Sequence, residues 1–167
     1  MNHGKMKRYL SGFSLSVLVL MLYGCASANL SVVQAMAAKP ASASLILIDN
    51  TGSKVSNEDI GNLKSAFSDS LQKAGVKIVS TENKDVAAIV GQIQQYDKGS
   101  KALRYFVGFG AGTGKMKTAW KVSDQTGGEI GSCNIDGSIS MGVFGGDFYN
   151  VHEKAAEAFS QFFTGTK

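Results

Sequence analysis

The sequence predicts an α+β domain, a two-layer sandwich in which a mixed or antiparallel sheet of four to five strands carries two helices on one face. Three observations predict it. Lys115 to Asp124 alternates strictly, with Met116, Thr118, Trp120 and Val122 on one side and Lys115, Lys117, Ala119, Lys121 and Ser123 on the other. Two other stretches repeat apolar residues at three- and four-residue spacing. The elements run strand, helix, several strands, helix.

The first strand is Leu45-Ile46-Leu47-Ile48, a short aliphatic run that reads as buried and is closed by Asp49-Asn50-Thr51-Gly52. Ser56 followed by Glu58 and Asp59 is a helix-start pattern, with acids placed in the first turn. Ile60, Leu63, Phe67, Leu71 and Ala74 give that helix an apolar face, and Gly75 ends it. Val76 to Val79 and Val86 to Tyr96 follow as strands, the second with Gly91 inside it. Asp124-Gln125-Thr126-Gly127-Gly128 is a hairpin turn. The return strand puts Cys133, Ile135, Ile139 and Met141 on the core side. Asp147 then caps a last helix whose stripe is Phe148, Val151, Ala155, Phe159 and Phe162.

The chain has 167 residues, 44% of them apolar and 18% charged, which suits one folded domain rather than a disordered segment. Its formal charge of +4 is concentrated at the start. Without Lys5, Lys7 and Arg8, 14 basic residues face 13 acidic ones, a balance of +1. The basic pI therefore gives no reason to expect a nucleic-acid partner.

Those three cations precede an apolar stretch from Tyr9 to Tyr23, the layout of a secretory signal. Its apolar block is shorter than the roughly 20 residues that cross a bilayer as a helix. Leu22-Tyr23-Gly24-Cys25 resembles a bacterial lipobox, in which Cys25 becomes the acylated first residue, although Tyr23 is larger than the residue usual there. Two alternatives stand beside it. Ala26-Ser27-Ala28 and Ala35-Met36-Ala37 resemble cleavage sites that would release the chain, and an uncleaved stretch from Leu10 to Ala38 would be a helical anchor. The expected organisation is a signal over residues 1–24, an Ala/Ser-rich tether over 25–43, one domain over 44–163 and a tail over 164–167.

Motifs that would carry catalysis fail on spacing. The glycine cluster from Gly108 to Gly114 has Thr113 and Lys115 where a dinucleotide fingerprint needs glycine. As a phosphate loop ending at Gly114-Lys115 it has Phe109 and Met116 at required positions, and it leads into a strand instead of a helix. His152 lacks the second histidine of a zinc-protease motif and reads as a solvated helix residue, while Cys133 reads as core. Lys115, Lys117 and Lys121 read as a solvated face. No metal or cofactor is expected.

Arg104-Tyr105-Phe106-Val107-Gly108-Phe109-Gly110-Ala111-Gly112, the strand after it, and Asp124 with Gly127 resemble an uncharacterised family of bacterial lipoproteins catalogued as a domain of unknown function, the 4410 family. The resemblance implies a lipobox-bearing signal and a strand-first α/β domain, and it brings no activity, cofactor or ligand. More loosely, the element order is similar to periplasmic domains of outer-membrane assembly lipoproteins.

The expected function is a non-enzymatic envelope lipoprotein, anchored in the outer membrane by lipid on Cys25, whose periplasmic domain binds an envelope protein or polymer. Arg104, Tyr105, Phe106, Gly108, Phe109, Gly110, Gly112 and Gly114 are the candidate interaction residues. One alternative is an oligomerising subunit that inserts the glycine-aromatic hairpin into a membrane. The other is an envelope hydrolase using Cys133 or His152. Radiolabelled palmitate should enter the wild-type protein and be lost in Cys25→Ala; unlabelled wild type would rule lipidation out.

Overall fold

The computed structural model describes residues 26–80, 85–100, 112–139 and 147–165. In chain order the elements are β1 (Ala26–Gln34), β2 (Ser42–Asp49), α1 (Asn57–Lys73), β3 (Lys77–Val79), β4 (Ala87–Asp97), β5 (Gly114–Ser123), β6 (Glu129–Ile139) and α2 (Tyr149–Thr164). The six strands form one open sheet in the order β1-β6-β5-β4-β2-β3. β2 runs parallel to β3 and β4, and the remaining pairs are antiparallel.

The alternation of β5 sets which face is covered. Met116, Thr118, Trp120 and Val122 are buried beneath the helices, while Lys115, Lys117 and Lys121 stand on the outer face. Trp120 is the centre of the core. Its ring stacks on Phe67 of α1, with centroids 4.2 Å apart, and meets Phe159 of α2 at 4.5 Å in a tilted arrangement. Both helices are thus held to the same face of the sheet through one side chain. The indole N–H donates to Thr118 Oγ1 at 2.8 Å, so the buried polar end of the ring is satisfied.

Gly91 makes room for that ring. It is the register partner of Trp120, and a Cβ there would lie 2.5 Å from the indole and 2.8 Å from Leu47. A glycine inside a strand costs local stability, and here the close approach of a large side chain requires it.

Local chemistry ends the elements as expected. Ser56 Oγ accepts from the Asp59 backbone N–H at 3.1 Å, and Gly75 beyond α1 has φ +83°, a left-handed conformation that favours glycine. In the β5–β6 turn, Asp124 Oδ1 accepts from Thr126 Oγ1 at 2.6 Å, from Thr126 N–H at 2.8 Å and from Gly128 N–H at 3.0 Å. These bonds, led by the Thr126 hydroxyl, hold the Asp124 carboxyl below its ordinary pKa.

Four expectations need correction. The sheet has six strands, not four to five, because the stretch expected as a tether contains β1. Ala26, Ala28 and Leu30 alternate with Ser27, Asn29 and Ser31, and those apolar residues pack against the core. The period-two signal was written in residues small enough to resemble a linker. A helical anchor reaching Ala38 is excluded by the same strand. The run Leu45 to Ile48 is buried on one side only: Leu45 is 1% exposed and Ile48 41%, since no second layer covers the outer face among the described residues. Finally, α2 begins at Tyr149 and not at Asp147, whose carboxylate nevertheless accepts from the Tyr149 N–H at 3.2 Å.

Gly91→Ala should lower the urea midpoint by an amount equivalent to about 1–3 kcal/mol, the usual cost of overpacking. Gly61→Ala, in the exposed interior of α1 with open space around the new methyl, should raise it by about 0.5–1 kcal/mol. An unchanged midpoint for Gly91→Ala would remove the close approach from the account of the core.

Candidate functional site

A cleft of about 470 Å³ lies where the first turns of α1 and α2 meet the end of β4. Asp59 reaches it from α1, Tyr96 from β4, Lys98 from just beyond β4, and His152 from α2. Lys98 Nζ stands 2.7 Å from Asp59 Oδ2, and Ser56 Oγ donates to the same oxygen at 2.6 Å. Tyr96 OH and His152 Nε2 are 2.9 Å apart.

The charges follow from burial and partners. Burial works to raise the Asp59 pKa, but hydrogen bonds from Lys98, Ser56 and Tyr96, with the charge of Lys98, hold it below the ordinary carboxylate range. Burial first, and then the neighbouring Asp59 carboxylate, raise Tyr96 and keep its phenol protonated. His152 is 2% exposed, and burial pushes its pKa down to about 4 against the opposing pull of Asp59. A carboxylate only accepts, so the phenol proton serves Asp59, and the neutral His152 donates its Nε2–H to the phenol oxygen. Its Nδ1 is then a bare acceptor, buried and without a hydrogen-bond partner among the described residues.

This chain of polar groups ties the first turns of both helices to one end of β4. A general base must reach the proton it takes, and both nitrogens of His152 are enclosed, Nε2 by Tyr96 and Nδ1 by packing.

The expectation that His152 is solvated is therefore wrong. The polar run His152-Glu153-Lys154 concealed it, but a signal was available: His152, Ala156, Phe159 and Phe163 recur at four-, three- and four-residue spacing and are all buried. Asp59 carried no signal of belonging with Tyr96 and Lys98, because it is distant from them in sequence.

Cys133 lies in the core as expected. It is the register partner of Trp120, is 1% exposed, and its thiol is pushed up to about 12 by burial. Cys25, Arg104, Tyr105, Phe106, Gly108, Phe109 and Gly110 lie outside the described residues. Gly112 and Gly114 are described. A Cβ on Gly114 would lie 2.5 Å from the ring of Phe148, and Gly112 has φ +82°. On the outer face, Lys121 pairs with Glu129 at 3.0 Å and Lys117 stands 3.8 Å from Asp136, so two of the three lysines face acids of β6.

An open six-stranded sheet with two helices on one face is the class this domain defines. The chain belongs to the family described as Domain of unknown function (DUF4410), which it matches over residues 34–143. Among solved structures it is similar to PelC of Paraburkholderia phytofirmans, crystallised as a dodecamer in two space groups. The TM-scores are 0.55 and 0.53 at 10% and 11% identity, covering 86% and 83% of this chain and 100% and 97% of PelC. A DUF4136 family protein from Bacteroides thetaiotaomicron VPI-5482 is similar at TM-score 0.48 and 8% identity, covering 83% of this chain and 95% of that one. At such identities the likeness is one of fold. No curated protein matches the chain.

Tyr96→Phe should cost about 1–3 kcal/mol, because it leaves a buried His152 N–H without an acceptor. The pH dependence has a definite sign. The unfolded histidine gains a proton below its ordinary pKa of 6.5, whereas the folded one stays neutral to about 4. The contribution of neutral His152 is therefore complete above pH 6.5 and declines as pH falls toward 4, by roughly 3 kcal/mol at most. Denaturant titrations at stepped pH should show this decline, and it should flatten in His152→Gln, which keeps a donor for Tyr96 and cannot titrate. An equal slope in the variant would assign the decline elsewhere.

Proposed function

We propose that this protein is a lipid-anchored lipoprotein of the bacterial cell envelope, held in the outer membrane through Cys25, with a periplasmic domain that works by binding and not by catalysis. The observation that carries the reading is that Ala26–Gln34, the first of the described residues, form β1. Cleavage ahead of Cys25 leaves all of these residues in the mature chain. Cleavage after Ala28 would remove three of them, and cleavage after Ala37 would remove all of β1, with the ladder to β6 and the packing of Leu30. Of the three candidate cuts, the one at the lipobox alone keeps Ala26–Gln34 whole. Ala26 also lacks the aspartate that would retain a lipoprotein at the inner membrane.

The binding reading rests on the state of the polar groups. The buried histidine is neutral and engaged, and the thiol is protonated within the core. An envelope protein or polymer is the partner this reading implies, with no cofactor.

A second reading, self-association, is favoured by β1 itself. It is an edge strand of nine residues without a charge or a proline, and Val32 and Val33 on it are 53% and 68% exposed. Natural edges usually carry such blocking residues. The same fold is found in the PelC dodecamer.

Mass analysis of the mature N-terminus should find an acylated Cys25; a chain beginning at Asn29 or Ala38 would overturn the anchor. Crosslinking in intact envelopes should return a partner or a ladder of copies. Monomer alone in mass photometry of detergent-extracted protein would end the self-association reading.

A further inference from the structure

We propose that the apolar groove between the end of β1 and the last turn of α2 binds a single-chain amphiphile, a long-chain carboxylate, with its head group against Lys39. The inference is independent of the lipid anchor and adds a small ligand to the binding reading above.

The groove follows from how the chain leaves the sheet. The register of β1 against β6 shifts between Val32 and Gln34. Beyond that shift the chain crosses toward β2, and the Ala37 N–H donates to Ile130 O at 2.8 Å. The crossing segment Ala35-Met36-Ala37-Ala38-Lys39 contains three alanines, which leave space that longer side chains would fill. On the other side α2 runs to Thr164, and Gly165 caps it with φ +65°. The cavity between these walls is about 580 Å³. Small-ligand sites span roughly 300–1,000 Å³.

The floor of the groove is apolar and fixed. Phe162 and Phe163 are buried, with their rings edge to face at 5.7 Å, and Leu30 and Met36 pack against the same core. Gly131 lets the floor close, since a Cβ there would lie 2.4 Å from Met36 Sδ and 2.9 Å from the Phe162 ring. Val32 lines the groove and is 53% exposed, so this wall meets water. Hydrocarbon laid along it would remove that apolar surface from water.

Charge selects the head group. Among the described residues that line the groove, Lys39 alone is charged. Its Nζ donates to the Ala74 carbonyl, which uses one of the three N–H donors of an ammonium. The end of α2 opposes it with only the partial negative charge of a helix C-terminus, about half an elementary charge. The balance favours an anion. One cation beside one groove suits one chain with one negative charge, and not a two-chain phospholipid.

Hexadecanoic acid with a diazirine on its chain tests this on the full-length protein in isolated envelopes. Light-dependent label should map by peptide mass analysis to the stretches around Val32 and Met36 or around Phe162 and Phe163. Val32→Asp should lower the label by about tenfold, because its carboxylate would have to be desolvated under the chain. Val33→Asp adds the same charge outside the groove lining and should leave the label in place. If Val32→Asp does not fold, the mapped positions in the wild type decide alone. Unlabelled hexadecanoic acid and hexadecanol are then compared as competitors. Lys39→Gln keeps a donor for Ala74 and loses the charge, so it should lower the preference for the acid by about threefold. Comparing that preference between the two proteins cancels the partition of each competitor into membrane. Label confined to other peptides, or undiminished in a folded Val32→Asp, overturns the groove as the site. A preference unchanged by Lys39→Gln, or stronger competition by phosphatidylglycerol than by the acid, overturns the carboxylate. Absence of label means that protein, from this chain or a second copy, fills the groove, and it overturns the ligand.

Discussion

The indole of Trp120, clustered with Phe67 and Phe159 and seated over Gly91, is the contact on which the rest of the domain depends. From the middle of β5 it touches a ring of each helix. Each aromatic pair adds about 0.5–1.5 kcal/mol beyond the area it buries. The two pairs therefore account for a useful share of the stability of a domain this size. Their geometry matters as much as their energy. Because the ring fills the space above a glycine, α1 and α2 are set at a fixed height and side by side, and their first turns come to the same end of the sheet.

That placement assembles the polar cleft. Asp59, Tyr96, Lys98 and His152 meet only because the two helices and β4 converge there. Burial has opposite consequences for the members of the group. It favours the neutral forms of Tyr96 and His152, whereas the hydrogen bonds and charge of Lys98 rescue the ionised form of Asp59. The outcome is a network with one ion pair near its mouth and a neutral interior, which fixes geometry more than it offers a reactive group.

β1 is what the sheet gains beyond its central strands. Its ladder to β6 and the packing of Ala26, Ala28 and Leu30 against the core make these nine residues part of the fold. Among the described residues it lies at the edge of the sheet, carries neither charge nor proline, and leaves Val32 and Val33 exposed.

Much was legible from the residues in order. The alternation of β5, the stripe of α1 with its Ser56 cap, the Asp124 turn and the core position of Cys133 are local, and period and turn chemistry suffice to find them. What the sequence left open depends on neighbours far along the chain. β1 looked like a linker because its inward side chains are mostly alanine, and only pairing with β6 makes it a strand. His152 looked solvated because its own helix is polar around it, and only the approach of Tyr96 across 56 positions encloses it. Periodicity records which way a side chain points; which surface arrives to cover it is decided by packing, and so the sheet's sixth strand and the polar cleft belong to the tertiary structure alone.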